Sequence, residues 1–175
     1  MNFENFTERA RGFVQTSQDL AQRLGHQQLT PEHLLKTLLD DEEGLCANLI
    51  RSAGGDSRGA EQAVDLALEK LPKVEGSGAG NVYLARETAR LLESAGEIAK
   101  KAGDSYVTVE RLLLALALAT GMPVAKILAD AKVTPQGLNQ AIEAIRKGRT
   151  ADSATAESGY DALKKYARDL TEAAR

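Results

Sequence analysis

Apolar residues recur along this chain three and four positions apart, and each run stops at a glycine or proline. The first stripe is Phe6, Ala10, Phe13, Val14, Leu20, Ala21 and Leu24, which predicts a helix over 3–24. Gly25 supplies the left-handed residue that closes it. Thr30 then stands as an N-cap, with Pro31 at the first helical position, where a missing N–H costs nothing. The helix it opens carries Leu34, Leu35, Leu38 and Leu39. A third helix is predicted over 45–53, stopped by Gly54-Gly55, and a fourth over 57–71, ended by Pro72. Residues 72–80, rich in glycine, form a flexible connector. The pattern then restarts, with helices predicted over 84–102, 109–119, 123–131 and 135–147. Thr108 and Thr134 cap the second and fourth of these. No strand is required anywhere.

The restart is a repetition. Thr30-Pro31-Glu32-His33-Leu34-Leu35 returns 78 positions later as Thr108-Val109-Glu110-Arg111-Leu112-Leu113. At the same offset Gly25 meets Gly103, Leu38 meets Leu116, Ala53 meets Ala131 and Gln62 meets Gln140. An ungapped match of this length indicates an internal duplication, and duplicated helical units stack to share a core. The expected fold is therefore all-α: one eight-helix domain, 1–148, made of two pseudo-symmetric four-helix repeats. Repeat one spans 1–72, the connector 73–83 and repeat two 84–148. Residues 149–159 are small and polar, as a flexible linker would be. Residues 160–175 turn amphipathic again, with Leu163, Tyr166, Ala167 and Leu170 at helical spacing and no capping residue at the end. They are expected to begin a segment that continues elsewhere.

Composition narrows the chemistry. Hydrophobic content of 43% and charge of 27% fit a globular domain. A net charge of −3, with no basic face and no interleaved aromatics, argues against nucleic acid. No apolar run reaches membrane-spanning length, and the opening Met1-Asn2-Phe3-Glu4 is not a signal peptide. Cys46 is alone in an apolar stretch, so a buried free thiol in a reducing, cytoplasmic setting is expected. The sequence has no Gly-Lys pair, hence no phosphate-cradling loop. His26 and His33 flank a turn without a third ligand, and are expected as surface or cap residues rather than a metal site. No nucleophile–base arrangement is visible. The sequence implies neither catalysis nor a cofactor or metal in this chain.

Differences between the copies point to a binding surface. Lys36 and Asp40 of the first copy become Leu114 and Leu118 in the second, so the helix carrying Leu112, Leu113, Leu114, Leu116 and Leu118 is apolar almost all round. Such a helix is either the central core helix or the wall of a groove for exposed apolar segments. Both hold together if Leu112, Leu113 and Leu116 are core while Leu114 and Leu118 are partly exposed.

Several motifs together resemble the N-terminal domain of the Clp family of AAA+ unfoldases. They are Phe6-Thr7, the paired Thr-x-Glu-x-Leu-Leu units, Leu71-Pro72-x-Val74-x-Gly76 and the tail Ala162-Leu163-Lys164-Lys165-Tyr166-Ala167-Arg168-Asp169-Leu170-Thr171-Glu172. Gly103-Asp104-Ser105-Tyr106-Val107-Thr108 and the Lys147-Gly148-Arg149 exit are similar to the ClpB-type disaggregase branch. The resemblance implies a double Clp repeat that captures unfolded or aggregated polypeptides for a hexameric ring. ATP and Mg would act in ATPase domains outside this chain, and an Hsp70-type chaperone would cooperate through those domains. It further implies substrate-binding roles for Thr7, Asp104 and Glu110, beside Leu114 and Leu118. Each polar residue also has a plain structural role: a cap at Thr7, a turn at Asp104 and a first-turn carboxylate at Glu110. The alternative within the family is an adaptor-docking domain of the peptidase-linked ClpA and ClpC type. ClpC-like domains tend to carry a near-identical Gly-Thr-Glu-His motif in both copies; here the copies read Thr-Pro-Glu-His and Thr-Val-Glu-Arg.

Overall fold

The computed structural model describes residues 3–74 and 81–158. Its helices are α1 (Glu8–Arg23), α2 (Pro31–Leu39), α3 (Leu45–Ser52) and α4 (Ser57–Glu69), followed by α5 (Arg86–Lys101), α6 (Val109–Leu118), α7 (Pro123–Asp130) and α8 (Pro135–Arg146). The duplication governs their bounds: α1 and α5, and likewise α3 and α7, begin and end 78 residues apart. Caps set the starts. Thr7, Asp56, Thr108 and Thr134 each accept a backbone N–H from the first turn of the following helix. Gly25 (φ 76°) and Gly103 (φ 86°) turn the chain out of α1 and α5, a conformation that favours glycine.

The first helix begins at Glu8 rather than near residue 3, because the residues before Thr7 are used differently. Phe6 bridges Val107 in parallel, with the Thr7 N–H donating to the Val107 carbonyl at 3.0 Å. The equivalent crossing joins β1 (Gln28–Leu29) to β2 (Tyr83–Leu84), also in parallel, with Leu29 opposite Leu84. Each repeat thus lends the stretch before its first helix to the turn of the other. These short pairings are an addition to the strand-free expectation. They satisfy backbone groups and set Phe6 and Leu29 into the core, but two-residue pairings are too short to show a period-2 pattern.

The core lies between α2 and α6, the equivalent central helices, which pack on each other and on flanking helices from both repeats. All eight residues from Val109 to Leu116 are buried, including Leu112, Leu113 and Leu116. The repeats also meet through α3 on α8 and α4 on α7. There Gly55 faces its own counterpart, Val133. A Cβ on Gly55 would lie 2.6 Å from Val133 Cγ2 and 3.1 Å from the Ala131 carbonyl oxygen, so glycine is required by close approach. Cys46 is buried, as its apolar stretch predicts.

Residues 75–80 of the connector, the final residue of the predicted linker and the amphipathic tail over 160–175 lie outside the described residues. Residues 149–158 do not behave as the polar linker their composition predicts. Ala151 and Glu157 are buried against the fold, and the backbone around them is hydrogen-bonded to both repeats. Among the described residues no single helix is long and apolar enough to cross a membrane.

Candidate functional site

The three polar residues singled out from the sequence come together, but inside the protein. Thr7, Asp104 and Glu110 contribute to one ionic cluster organised by Arg146 from the last turn of α8. Arg146 Nη1 donates to Asp104 Oδ1 at 2.5 Å, Nε to Glu110 Oε2 at 3.0 Å and Nη2 to the Thr108 hydroxyl at 2.9 Å. Asp104 Oδ2 accepts from Arg111 Nε at 3.1 Å, and Oδ1 also accepts from the Ala151 N–H at 2.9 Å. Thr7 reaches the cluster's edge through Glu157. Its hydroxyl caps α1 by accepting from the Ala10 N–H at 3.1 Å and donates to Glu157 Oε2 at 2.6 Å. The same carboxylate oxygen takes the Val109 N–H at 3.0 Å, at the positive end of α6.

The three residues implied as substrate-binding thus sit in a buried, internally paired network rather than on an open surface. Thr7 and Glu110 have no exposed surface, and Asp104 is buried with its carboxylate enclosed by two guanidinium groups. The reason is the duplication itself. The loop 103–108 and the N-terminus of α6 lie at the crossing with the opposite repeat, where the Phe6 arm and residues 149–158 cover them. Burial raises the Asp104 carboxyl, but hydrogen bonds from Arg146, Ala151 and Arg111 outweigh it and hold the group below its ordinary value. For Glu157 burial wins. Its hydrogen bonds from Thr7 and Val109 offset only part of the desolvation, Glu110 adds repulsion, and its carboxyl is raised.

The apolar candidates separate as well. Leu114 is buried at 5% exposure, against the expectation that it would be partly open, whereas Leu118 is 47% exposed. α6 packs against α1, α2, α3, α5, α7 and α8, so every face of its body is covered and only its C-terminal end projects. Its chain neighbours Ala117 and Ala119, and Met122 before α7, are partly buried and pack against the core. Leu66, Tyr83 and Leu84 are the other large hydrophobic residues exposed among those described.

Repeat one carries the counterpart of the ionic cluster with different chemistry. His26 and His33 occupy the positions of Asp104 and Arg111, and Leu68 that of Arg146. The histidines are buried, not surface residues, with His26 Nδ1 2.8 Å from His33 Nε2. The Thr30 N–H donates to His33 Nδ1 at 2.9 Å, which fixes the tautomers. His33 must carry its proton on Nε2 and donate it to His26 Nδ1, leaving the His26 proton on Nε2. The His33 link to the Thr30 backbone makes half of a capping box, so its cap role is real. Burial, with His26 alongside, lowers the His33 pKa to about 4, so the pair is neutral near pH 7. No motif marks this exchange of an ion pair for a histidine pair; aligning the two copies is the signal that finds it.

No group of three or more His, Cys, Asp or Glu suited to a metal ion occurs among the described residues. The ionic cluster is structural and interior, whereas Leu118 is one of four large hydrophobic side chains exposed among the described residues.

A family model, the Clp repeat (R) N-terminal domain, matches residues 5–131. The chain belongs to that family. Its whole length is 63% identical to the chaperone protein ClpB of Rhodopseudomonas palustris and 59% identical to that of Mesorhizobium japonicum, covering 20% of each. The chain thus spans about a fifth of these relatives, and it corresponds to the N-terminal region of AAA+ chaperones of the ClpB type. Among solved structures, the Hsp104 N-terminal domain from Candida albicans superposes with a TM-score of 0.76 at 23% identity, covering 89% of this chain and 100% of that one. The N-terminal domain of ClpV1 from E. coli gives 0.64 at 23% identity over 79% and 83%. At these identities the likeness establishes the fold of this Clp repeat domain.

Proposed function

We propose that this Clp repeat domain captures unfolded or aggregated polypeptides for an ATP-driven disaggregase of which it is the N-terminal part. The observation that carries the reading is the match, without a break in coverage, to ClpB chaperones. Supporting it is an exposed apolar side chain, Leu118, at the end of the most apolar helix beside the partly buried Ala117 and Ala119. A small apolar patch that accepts many sequences is strongly complementary to none, so its affinity is modest. Tethering then matters more than affinity. Six such domains on a hexameric ring hold clients near the pore, where effective concentration replaces tight contact. ATP, Mg and any Hsp70-type partner act through the rest of that protein, in the cytoplasm.

The test is direct titration of the domain with a reduced, alkylated polypeptide carrying a fluorophore, read by anisotropy. Weak binding that Leu118→Glu weakens further, with the melting curve unchanged, supports the reading. No binding of unfolded chains, together with tight one-to-one binding of a folded adaptor, overturns it in favour of the adaptor-docking function.

A further inference from the structure

Residues 149–158 run back over the N-termini of α1 and α6 and are fastened almost wholly by polar contacts. Ala151 donates its N–H to Asp104 Oδ1 at 2.9 Å and accepts, at its carbonyl, the N–H groups of Ser105 and Tyr106 at 2.9 and 3.1 Å. The Ala154 carbonyl accepts from the Glu8 N–H at 2.8 Å. Glu157 Oε2 takes the Thr7 hydroxyl and the Val109 N–H. We propose that residues 150–158 are a latch held in cis across the Thr7–Asp104–Glu110 cluster, with Glu157 as its catch, and that it opens as a unit while the eight helices stay folded.

Three observations support this device. Little apolar surface holds the segment: of its side chains only those of Ala151 and Glu157 are buried. The catch is internally opposed. One oxygen of Glu157 accepts both hydrogen bonds, while the other, Oε1, is buried with no hydrogen-bond partner among the described residues. A carboxylate in that position regains full hydration on release, which offsets part of what its two hydrogen bonds contribute. Lastly, the segment fastens only to helix ends and the loop 103–106, so no helix must unpack for it to leave. Opening uncovers the Thr7 hydroxyl, the Val109 N–H and Asp104. On the client-binding reading, which this consequence alone rests on, it adds polar groups to the capture surface and couples that surface to the chain beyond residue 158.

Amide hydrogen exchange on the unmodified domain tests the latch without any client. Five N–H groups, those of Glu8, Ser105, Tyr106, Val109 and Ala151, are satisfied across the latch. They should exchange at a common opening rate, well above that of Leu113 in the body of α6. Glu157→Ala removes charge-assisted hydrogen bonds and should speed all five by roughly tenfold or more, leaving Leu113 unchanged. Exchange of the five no faster than Leu113, or no acceleration in the variant, overturns the proposal. Should the variant fail to fold, the unmodified measurement decides alone. Because the readout uses no client, it stands or falls separately from the test of client capture.

Discussion

Arg146→Leu places in repeat two the residue that repeat one carries at the equivalent position, Leu68. The substitution preserves apolar bulk but removes the guanidinium that pairs with Glu110 and one of the two that pair with Asp104, both carboxylates being enclosed, and the Thr108 hydroxyl loses a donor. Removing one partner of a buried ion pair costs about 3–5 kcal/mol, since the remaining charge is left without compensation. For a domain of this size that is a fall in Tm of roughly 6–20 °C. Replacing Asp104 and both of its arginines together is a different matter. The triple variant Asp104→His, Arg111→His, Arg146→Leu installs the neutral chemistry of the first repeat and should regain about half of the loss, since well-matched replacement of buried ions is often close to neutral. Recovery stays partial because buried Glu110 keeps its carboxylate while losing Arg146, and the Ala151 N–H loses Asp104 as acceptor. Urea denaturation of the single and triple variants measures both effects. A single variant within about 1 kcal/mol of the parent, or a triple variant as unstable as the three changes summed, would refute the account of the cluster.

Other consequences are as direct. Leu114→Glu buries a carboxylate in the core and should abolish cooperative unfolding in circular dichroism, whereas Leu118→Glu should leave the melting curve intact and act on client binding alone. Stability should fall as pH drops from 6.5 toward about 4, because over that window the unfolded chain binds a proton at His33 that the folded chain does not. The double variant His26→Asp, His33→Arg copies the pair of repeat two, and should lose the part of this fall that His33 causes. Asp104, whose folded carboxyl is lowered, contributes a loss only at lower pH, as pH falls through values below 3.8.

The offset of 78 residues made nearly the whole helical plan legible, because caps, stripes and stops repeat together and each copy checks the other. Thr108 at the head of α6 and Pro135 opening α8 stand where Thr30 and Ser57 stand in the first copy. The resemblance also chose residues that do meet in space. What it could not convey was their burial: Arg146 reaches Glu110 through the packing of α8 on α6 within repeat two, and Thr7 joins only where the repeats cross. The arms at Phe6 and β2 were equally hidden, as backbone pairing leaves little trace in side-chain pattern. Leu114 shows the same limit from the apolar side: whether an all-apolar helix is wall or centre depends on how many helices surround it.

The contact of Gly55 with Val133 makes the two halves non-interchangeable. Two second halves joined in the present arrangement would set valine against valine, where even one added methyl comes within 2.6 Å of its neighbour. Two first halves would bring glycine to glycine and leave a hollow along the seam. Only a mismatched couple closes it, so an isolated half cannot stand in for its sibling by pairing with itself.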